Sequence, residues 1–359
     1  MTESEKTKRV FIIEPNSSGH HFYYVKLLAE EVLSKSHPVN LFLFTTSASM
    51  DSSEFTIHLA NIKKLTIICL PLEELSLRRL SGNTLLENAT WITFPDSDRL
   101  LTQIAIGHWQ ISSPTTFLVM RPDGERRRVW GLGLMIGIAK KSLIALNNLR
   151  TNVHVFALKS PLSRRKLPLP WVSDPITLTD TQQKIAEYRK VLNSKPPTHW
   201  VGVFGYITLR KNLDLIVDAI ADDQSLGLFV AGSIDQDVME IVEHQLQRLQ
   251  DDERLINIAG PLDDNALDSA IASVDVVVAA HSNDGPSGIV SKAAALGKPV
   301  ALAGAKSLRL DARNLGKQAR WTKLNSKAIY QSVKSLIESD PVDSIHLRDE
   351  VDFLKKLLP

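Results

Sequence analysis

The chain has 359 residues, which is too long for one ordinary hydrophobic core and predicts two domains of similar size. Its hydrophobic fraction of 43% and charged fraction of 23% are those of a soluble globular protein. The formal net charge of +2 is close to neutral, so overall electrostatics indicates no nucleic-acid partner.

The single cysteine, Cys69, excludes a disulfide within the chain, and its apolar surroundings predict a core residue. Residues 1–9 are polar and charged and lack the apolar region of a signal peptide, while no segment has the length of a membrane span. These features predict a cytoplasmic protein.

Apolar runs between turn residues predict alternating strands and helices in the first half. The first strand, at 10–14, precedes a polar loop and an amphipathic helix over 22–33. Further strands are predicted at 39–45, 65–70, 91–94, 115–120 and 153–158, with helices over 72–79 and from Asp98 toward Gly107.

The loop after the first strand carries Ser18, Gly19, His20 and His21. In an open α/β sheet this loop lies at the carboxyl edge, where ligands bind. It can contact a ligand, or it can be a capped turn with two solvated histidines. Adjacent histidines do not have the spacing of a metal site, and we expect no bound metal.

The fifth strand ends in a turn whose polar candidates are Arg121 and Asp123, either for a ligand or for a purely structural turn. Residues 125–141 then combine three arginines, an apolar segment and two lysines. This stretch can lie on an anionic membrane surface, or it can be a buried domain helix with solvated ends.

Residues 161–175 contain too many prolines for a helix or a central strand and are interpreted as the interdomain linker. The predicted domains are therefore residues 1–175 and 176–342. A charged helical segment over 343–359 closes the chain.

In the second half, a strand at 199–206 ends in a turn at Gly205, and Arg210 and Lys211 precede a helix over 213–220. Arginine and lysine at such a place can hold a diphosphate and stabilise its charge as it departs, or they can be surface charges. The other elements are helices at 181–192, 236–249, 265–273 and 326–339, strands at 226–231, 255–259, 274–280 and 300–303, and a loop or short helix at 306–314.

Residues 281–304 predict a strand, a glycine-bearing turn, a helix and another strand. Pro286 suits the first turn of the helix, and Gly297 is a natural left-handed stop. The helix start directs free amides beyond the sheet edge, where a phosphate is the expected ligand. A turn of this kind also occurs without a ligand.

This stretch resembles the nucleotide-sugar motif of GT-B glycosyltransferases, especially the retaining glycosyltransferase family 4. Asp284–Gly285 matches the first acidic position and its glycine, and residues 293–300 match the Ala-rich tail ending in Gly-x-Pro-Val. Three positions depart from the family: Asp284 replaces a glutamate, Lys292 stands at the second acidic position, and Tyr206 replaces an arginine.

The resemblance implies two doubly wound Rossmann-like α/β domains facing across a cleft. The second would bind a nucleoside-diphosphate sugar and the first a hydroxyl acceptor, glycan or lipid-linked. Transfer would proceed with retention and without a metal or cofactor. Asp284 would orient the sugar, while Arg210 and Lys211 would stabilise the leaving diphosphate.

The other implied donor-binding residues lie in three turns of the second half. They are Gly205, Gly260, Pro261, Leu262, Gly285, Ser287, Gly288, Ile289 and Lys292. Acceptor contacts are implied for Ser18, Gly19, His20, His21 and Arg121. The final segment, 343–359, would return to the first domain, and the protein could be peripheral to the inner face of the membrane.

Two alternatives remain. The departures at Lys292 and Tyr206 are compatible with a degenerate GT-B protein that binds a nucleotide or partner without catalysis. A sugar-nucleotide epimerase of the same fold would act on the donor with no acceptor present.

Overall fold

A computed structural model gives the structure of the protein. It describes residues 7–17, 20–35, 37–122, 132–163, 169–340, 343–345, 347 and 350–358. The chain divides into two compact units. The first comprises the described parts of Met1–Lys159, Lys166–Ser173 and Glu350–Pro359, and the second those of Ser160–Arg165 and Asp174–Asp349.

The first unit is built on a seven-stranded sheet. Its strands are β1 (Lys8–Ile13), β2 (Val39–Thr45), β3 (Leu65–Cys69), β4 (Trp91–Phe94), β5 (Thr115–Val119), β6 (Val153–Lys159) and β7 (Trp171–Ser173). All neighbours are parallel, in the order β3-β2-β1-β4-β5-β6-β7. Strand β5 is wholly buried, as expected for a parallel strand covered on both faces. The direction of winding reverses between β1 and β4, which opens a crevice at their carboxyl ends.

Helices cover both faces of this sheet. They are α1 (His21–Ser34), α2 (Ser47–Met50), α3 (Ser53–His58), α4 (Leu77–Leu80), α5 (Leu101–Ala105) and α6 (Leu132–Asn147). The predicted helix over 72–79 is wrong: Ser76 is extended and separates a 3-10 turn from α4. The helix predicted from Asp98 is also shorter, because the Asp98 carboxylate accepts the Arg121 amide instead of capping a helix.

The structure also differs from the sequence prediction at the two edge strands of this sheet. Cys69 is exposed rather than part of the core, because β3 is an edge strand. The proline-rich stretch interpreted as a linker contains β7, which lies at the opposite edge, where a strand needs only one hydrogen-bonded neighbour.

The second unit has a six-stranded sheet. Its strands are β8 (His199–Phe204), β9 (Leu226–Gly232), β10 (Leu255–Ala259), β11 (Val276–His281), β12 (Val300–Gly304) and β13 (Ala319–Thr322). All neighbours are again parallel, in the order β10-β9-β8-β11-β12-β13. Strand β13 has no counterpart among the predicted elements. The winding reverses between β8 and β11, and this places a second crevice at their carboxyl ends.

The helices of the second unit pack into one apolar core on each face of the sheet. They are α7 (Gln182–Asn193), α8 (Leu213–Ile220), α9 (Gln236–Asp251), α10 (Asp264–Ser273), α11 (Gly288–Ala295), α12 (Lys306–Leu315) and α13 (Ser326–Ile337). For residues 306–314 the sequence predicts either a loop or a short helix. The stretch is helical, because Leu308, Ala312 and Leu315 pack into the core.

A fully buried arginine closes the end of α8. The Arg254 guanidinium donates hydrogen bonds to four backbone carbonyls: those of Ile220, Ala221, Asp223 and Leu226. Two of these belong to the last turn of α8 and the residue after it, so the cation also lies at the negative end of the helix dipole.

The last helix, α14 (Glu350–Leu357), belongs to the first unit. Phe353 and Leu357 are fully buried in the core formed with α1, β1 and β2. The predicted helix over 343–358 is therefore too long: Ile345 and Leu347 pack in the second unit, and the Ile345 amide donates to Ala294 O. None of the described helices is both long and apolar enough to cross a membrane.

Candidate functional site

The clearest candidate site lies at the crevice of the second sheet, where the chain leaves β8. Gly205 takes a φ of +79°, and a side chain on Gly232 at the end of β9 would overlap the Gly205 carbonyl. A 3-10 turn (Leu209–Lys211) follows, and Asn212 enters α8 with a φ of 45°. This sharp path brings the Lys211 side chain back over the end of β8.

Hydrogen bonds fix the turn to the neighbouring strand. The Arg210 carbonyl accepts from Asn212 Nδ2 at 2.8 Å, from Ser282 N at 2.9 Å and from Ser282 Oγ at 3.3 Å. Asn212 Nδ2 also donates to Ala280 O at 2.8 Å. The basic pair is thus held at the junction of β8 and β11, where the sequence predicts it to act.

The Lys211 ammonium points into the protein. Its Nζ donates to Phe204 O at 3.0 Å, and among the described residues it has no carboxylate partner. Burial, together with the charge of Arg210, lowers the pKa of Lys211 to about 7. A desolvated lysine ammonium without a counter-charge is costly for the fold alone and is typical of a site for an anion.

His281 is the second ionisable group of the crevice, and it is not among the site residues predicted from the sequence. It is the last residue of β11 and only 4% exposed. Burial, and then the charges of Lys211 and Arg210, hold the pKa of His281 well below its usual range. The available signal was a single polar residue closing an otherwise apolar strand at the edge where ligands bind.

Lys211, His281 and Ser287 line a cavity of about 10 Å³, together with apolar residues of β8, β11 and α8 and with Ile289. Ser287 is the N-cap of α11, but its side chain makes no capping hydrogen bond. The first amides of α11 have no partner within the helix, and its positive end adjoins the cavity. A volume of about 10 Å³ is roughly enough for one water molecule.

Other predicted donor residues have different surroundings. Asp284 Oδ1 accepts the Ser307 amide at 3.0 Å, and Ser307 Oγ accepts the Gly285 amide at 3.2 Å. Asp284, which lies in the turn after β11, therefore binds a free amide at the start of α12. The turn of Gly260, Pro261 and Leu262 follows β10, two strands away from β8.

Lys292 lies on α11 but is directed toward α10. Its Nζ contacts Asp268 Oδ1 at 2.6 Å and Thr177 O at 3.1 Å, and its residue is 7% exposed. Thr179 donates to the other oxygen of Asp268 through its amide. Burial raises the pKa of Asp268 although Lys292 acts in the opposite direction. A structural ion pair accounts for Lys292 in this arrangement.

A second cluster lies at the crevice of the first sheet. His21, the first residue of α1, has Nδ1 2.9 Å from Glu14 Oε2 and Nε2 3.8 Å from Asp96 Oδ2. Burial by itself lowers the pKa of His21, but Glu14 and Asp96 outweigh it and the net shift is upward. Burial raises the pKa of Glu14, which is fully buried. An imidazole between two carboxylates can accept and release a proton.

The remaining acceptor-side predictions are dispersed. His20 is exposed beside Tyr24, and the exposed Arg121 donates its amide to Asp98 and accepts Lys140 Nζ on its carbonyl. Ser18, Gly19, Asp123 and the basic stretch 125–131 lie outside the described residues. Within the described residues, no group of three or more His, Cys, Asp or Glu side chains is placed to hold a metal ion.

No family model and no curated protein matches the sequence. Solved structures do match in three dimensions, each covering 92% of this chain and 90% of its own. HepE from Anabaena, in complex with UDP and glucose, has a TM-score of 0.63 at 14% identity. Sucrose-phosphate synthase from Thermosynechococcus elongatus has 0.62 at 14%, and WaaG, a glycosyltransferase involved in lipopolysaccharide biosynthesis, has 0.57 at 11%.

These neighbours are GT-B glycosyltransferases, and the two parallel, doubly wound sheets described above are those of the GT-B fold. The predicted fold class is confirmed. At such low identity the similarity establishes the fold and leaves the chemistry to the site residues themselves.

Proposed function

We propose that this protein is a glycosyltransferase that moves a sugar from a nucleoside-diphosphate sugar, with UDP as the nucleotide, to a hydroxyl acceptor. One observation carries the proposal: the part-buried Lys211 ammonium, which has no carboxylate partner among the described residues, lies beside the start of α11 at the crevice of the second sheet. Fixed positive charge at this place suits a diphosphate leaving group. HepE, a structural neighbour, is in complex with UDP in its own structure, which supports the choice of base.

The test is a thermal-shift and calorimetric titration with UDP, GDP, TDP and ADP, without added metal. We expect UDP to raise the melting temperature, because it binds only the folded state. Lys211→Ala should weaken UDP binding roughly 10- to 100-fold, the usual range for losing a hydrogen bond to a charged group. Lys190→Ala, on the exposed face of α7, is the matched control. Flat curves for every nucleotide would reject the proposal.

The stereochemical outcome has two candidates. The motif around Asp284 supports retention, by its resemblance to retaining enzymes. His21 supports inversion instead, because an in-line attack needs a base for the hydroxyl proton and His21 lies between Glu14 and Asp96. The anomeric configuration of the first product, followed by proton NMR, distinguishes them. An inverted product that is lost in His21→Gln would select the base mechanism.

A binding protein without catalysis is the second candidate function. Lys292 is paired with Asp268 and Asp284 caps α12, so the two positions matching the acidic motif both have structural roles. Nucleotide binding without release of UDP from any UDP-sugar, with either water or sugar acceptors, would select this candidate.

For the acceptor we propose a glycan or a lipid-linked sugar, and for the first unit a peripheral contact with an anionic membrane. Exposed apolar side chains on α6 support the membrane contact: Met135, Ile138 and Leu146 are 68%, 58% and 52% exposed. Residues 121–150 contain seven lysines and arginines against two acidic residues. A stretch of sequence that combines basic and apolar residues in this way is typical of peripheral membrane binding.

A further inference from the structure

Two bases, the part-buried Lys211 and the buried His281, line one cavity at the crevice of the second sheet, and neither has an acidic partner among the described residues. Lys211 uses one of its three donors on Phe204 O, and the His281 imidazole makes no hydrogen bond with any described residue. Native proteins rarely leave buried polar groups in this state, and such groups indicate a missing ligand. The hydroxyl oxygen of Thr208, in the turn between Gly205 and Lys211, is also buried and has no hydrogen-bond partner.

The position of His281 follows from the strand geometry. Side chains alternate along β11, and Val277 and Ala279 pack on the face that α11 covers. His281 is two residues after Ala279 and therefore points to the same face of the sheet. Its ring lies on the α11 side, at the carboxyl end of the strand. The cavity that it lines is also lined by Ser287 at the start of α11 and by Lys211. The imidazole, the ammonium and the residue that caps α11 therefore line one cavity.

The charges that act on His281 are those of Lys211 and Arg210, both from the turn before α8. From α11 the cavity receives Ser287 and Ile289, and from β8 and α8 only apolar side chains. Burial and two neighbouring cations disfavour the imidazolium, and this lowers the pKa of His281. An anion in the crevice would reverse the balance, because it attracts the proton that the cations repel.

We propose that His281 is a further donor-binding residue, which takes up a proton when a nucleoside diphosphate binds and then donates a hydrogen bond to its phosphate. The inference rests on the proposed function and adds a third phosphate-binding group to Lys211 and Arg210. The cavity of about 10 Å³ that both side chains line has room for one oxygen-sized atom, such as a single phosphate oxygen.

The arrangement would favour the leaving group over the intact donor. When the sugar–oxygen bond breaks, its electron pair stays on the terminal phosphate, and the diphosphate gains one negative charge. A protonated His281 interacts more strongly with this product charge than with the sugar ester, and interactions that strengthen along the reaction accelerate it. UDP should therefore take up more protons on binding than UDP-glucose does.

The experiment is calorimetry of UDP binding between pH 7.5 and 8.5, in two buffers of different ionisation enthalpy. The phosphates of UDP are fully ionised in this range, since the second phosphate pKa is about 6, so they take up no proton on binding. Lys211, with a pKa of about 7, can also contribute to the uptake, and the difference between wild type and His281→Gln isolates the share of His281. For wild type we expect net proton uptake and a Kd that rises up to about tenfold per pH unit for each proton bound. His281→Gln should bind fewer protons and show a flatter pH dependence.

His199→Gln is the matched control. His199 is the first residue of β8 and lies at the amino ends of the strands, away from the crevice at their carboxyl ends. The imidazole Cε1 shift of His281 in wild-type protein gives a readout that needs no variant: it should move toward the protonated value when UDP is added. UDP binding with the same proton uptake in wild type and His281→Gln, and an unchanged imidazole shift, would overturn the inference and leave the proposed function intact. If no nucleotide binds, both fail together.

Discussion

Five ionisable residues in the interior of the second unit form two groups, one with opposite charges in contact and one without. Lys292 and Asp268 neutralise each other, and their removal from water is compensated by mutual contact and by Thr177 and Thr179. Lys211, His281 and Asp311 have no opposite charge within contact among the described residues. Lys211 and His281 lie at the proposed diphosphate site. Asp311, on α12, instead accepts a hydrogen bond from Ser160 Oγ at 3.1 Å.

Asp311 should reduce stability at neutral pH. It is 3% exposed, one carboxylate oxygen has no hydrogen-bond partner, and burial raises its pKa to about 6. Because the folded pKa exceeds the unfolded one, folding is favoured while the group is protonated, and this advantage declines from about pH 4 to pH 6. Asp311→Asn should raise the free energy of unfolding at pH 7.5 by up to about 3 kcal/mol and have little effect at pH 4.

Urea unfolding at the two pH values measures this difference. Asp222→Asn, at an exposed position, should behave as wild type at both. A stabilisation of Asp311→Asn that is equal at pH 4 and pH 7.5 would exclude the ionisation of Asp311 as its cause.

Among the elements, α6 departs most from the behaviour of a surface helix. One side packs on the sheet through Ile144, while the opposite side exposes Met135, Ile138 and Leu146 to solvent. Residues 121–150 contain seven of the 42 lysines and arginines of the chain and two of its 40 acidic residues. The rest of the chain contains 35 basic and 38 acidic residues. The positive charge of the protein is thus concentrated in and around this helix, as a contact with anionic lipid requires.

Ile138→Glu should release the protein from anionic vesicles. The new carboxylate removes apolar burial in the interface and repels the lipid charge. Sedimentation with vesicles containing phosphatidylserine measures binding, and phosphatidylcholine vesicles should bind weakly in every case. Ile241→Glu on α9, where the isoleucine is 53% exposed, is the control and should retain binding. Equal vesicle binding by Ile138→Glu and wild type would reject α6 as the membrane contact.

At the scale of the whole molecule, the two units have separate cores, and the end of the chain completes the first one. The ring of Phe353 on α14 lies 5.1 Å from that of Tyr24 on α1. The Leu357 carbonyl accepts from Trp91 Nε1 at 3.0 Å and from Thr93 Oγ1 at 2.8 Å. The chain thus returns to the first unit after forming the whole of the second sheet.

Phe353→Ala should destabilise the first unit by about 3 to 5 kcal/mol, the usual range for removing a buried phenylalanine. The second unit has its own cores and should keep its stability. Differential scanning calorimetry with and without UDP assigns the transitions, since the nucleotide should stabilise only the unit that binds it. Val351→Ala, 62% exposed on the same helix, should leave both transitions unchanged. A lower melting temperature of the UDP-stabilised transition in Phe353→Ala would contradict this assignment.

The sequence alone determined the strand–helix alternation, the crevice-facing turns and the basic pair at Arg210 and Lys211. These follow from local properties: apolar runs long enough for buried strands, glycines at turns, and polar residues directly after them. Strands β7 and β13 escaped detection because they are short edge strands of three and four residues, and few apolar positions mark such elements.

Only the tertiary structure decided which polar residues meet. Asp268 lies 24 positions from Lys292, and nothing local indicates that it neutralises this lysine. Likewise, the partner of Asp284 is the start of α12, and the neighbours of His281 come from the turn after β8. The reason is physical: the burial of a polar group and the charges near it depend on contacts between distant parts of the chain. The periodicity of apolar residues shows only which face of a segment is buried, and not which residues cover it.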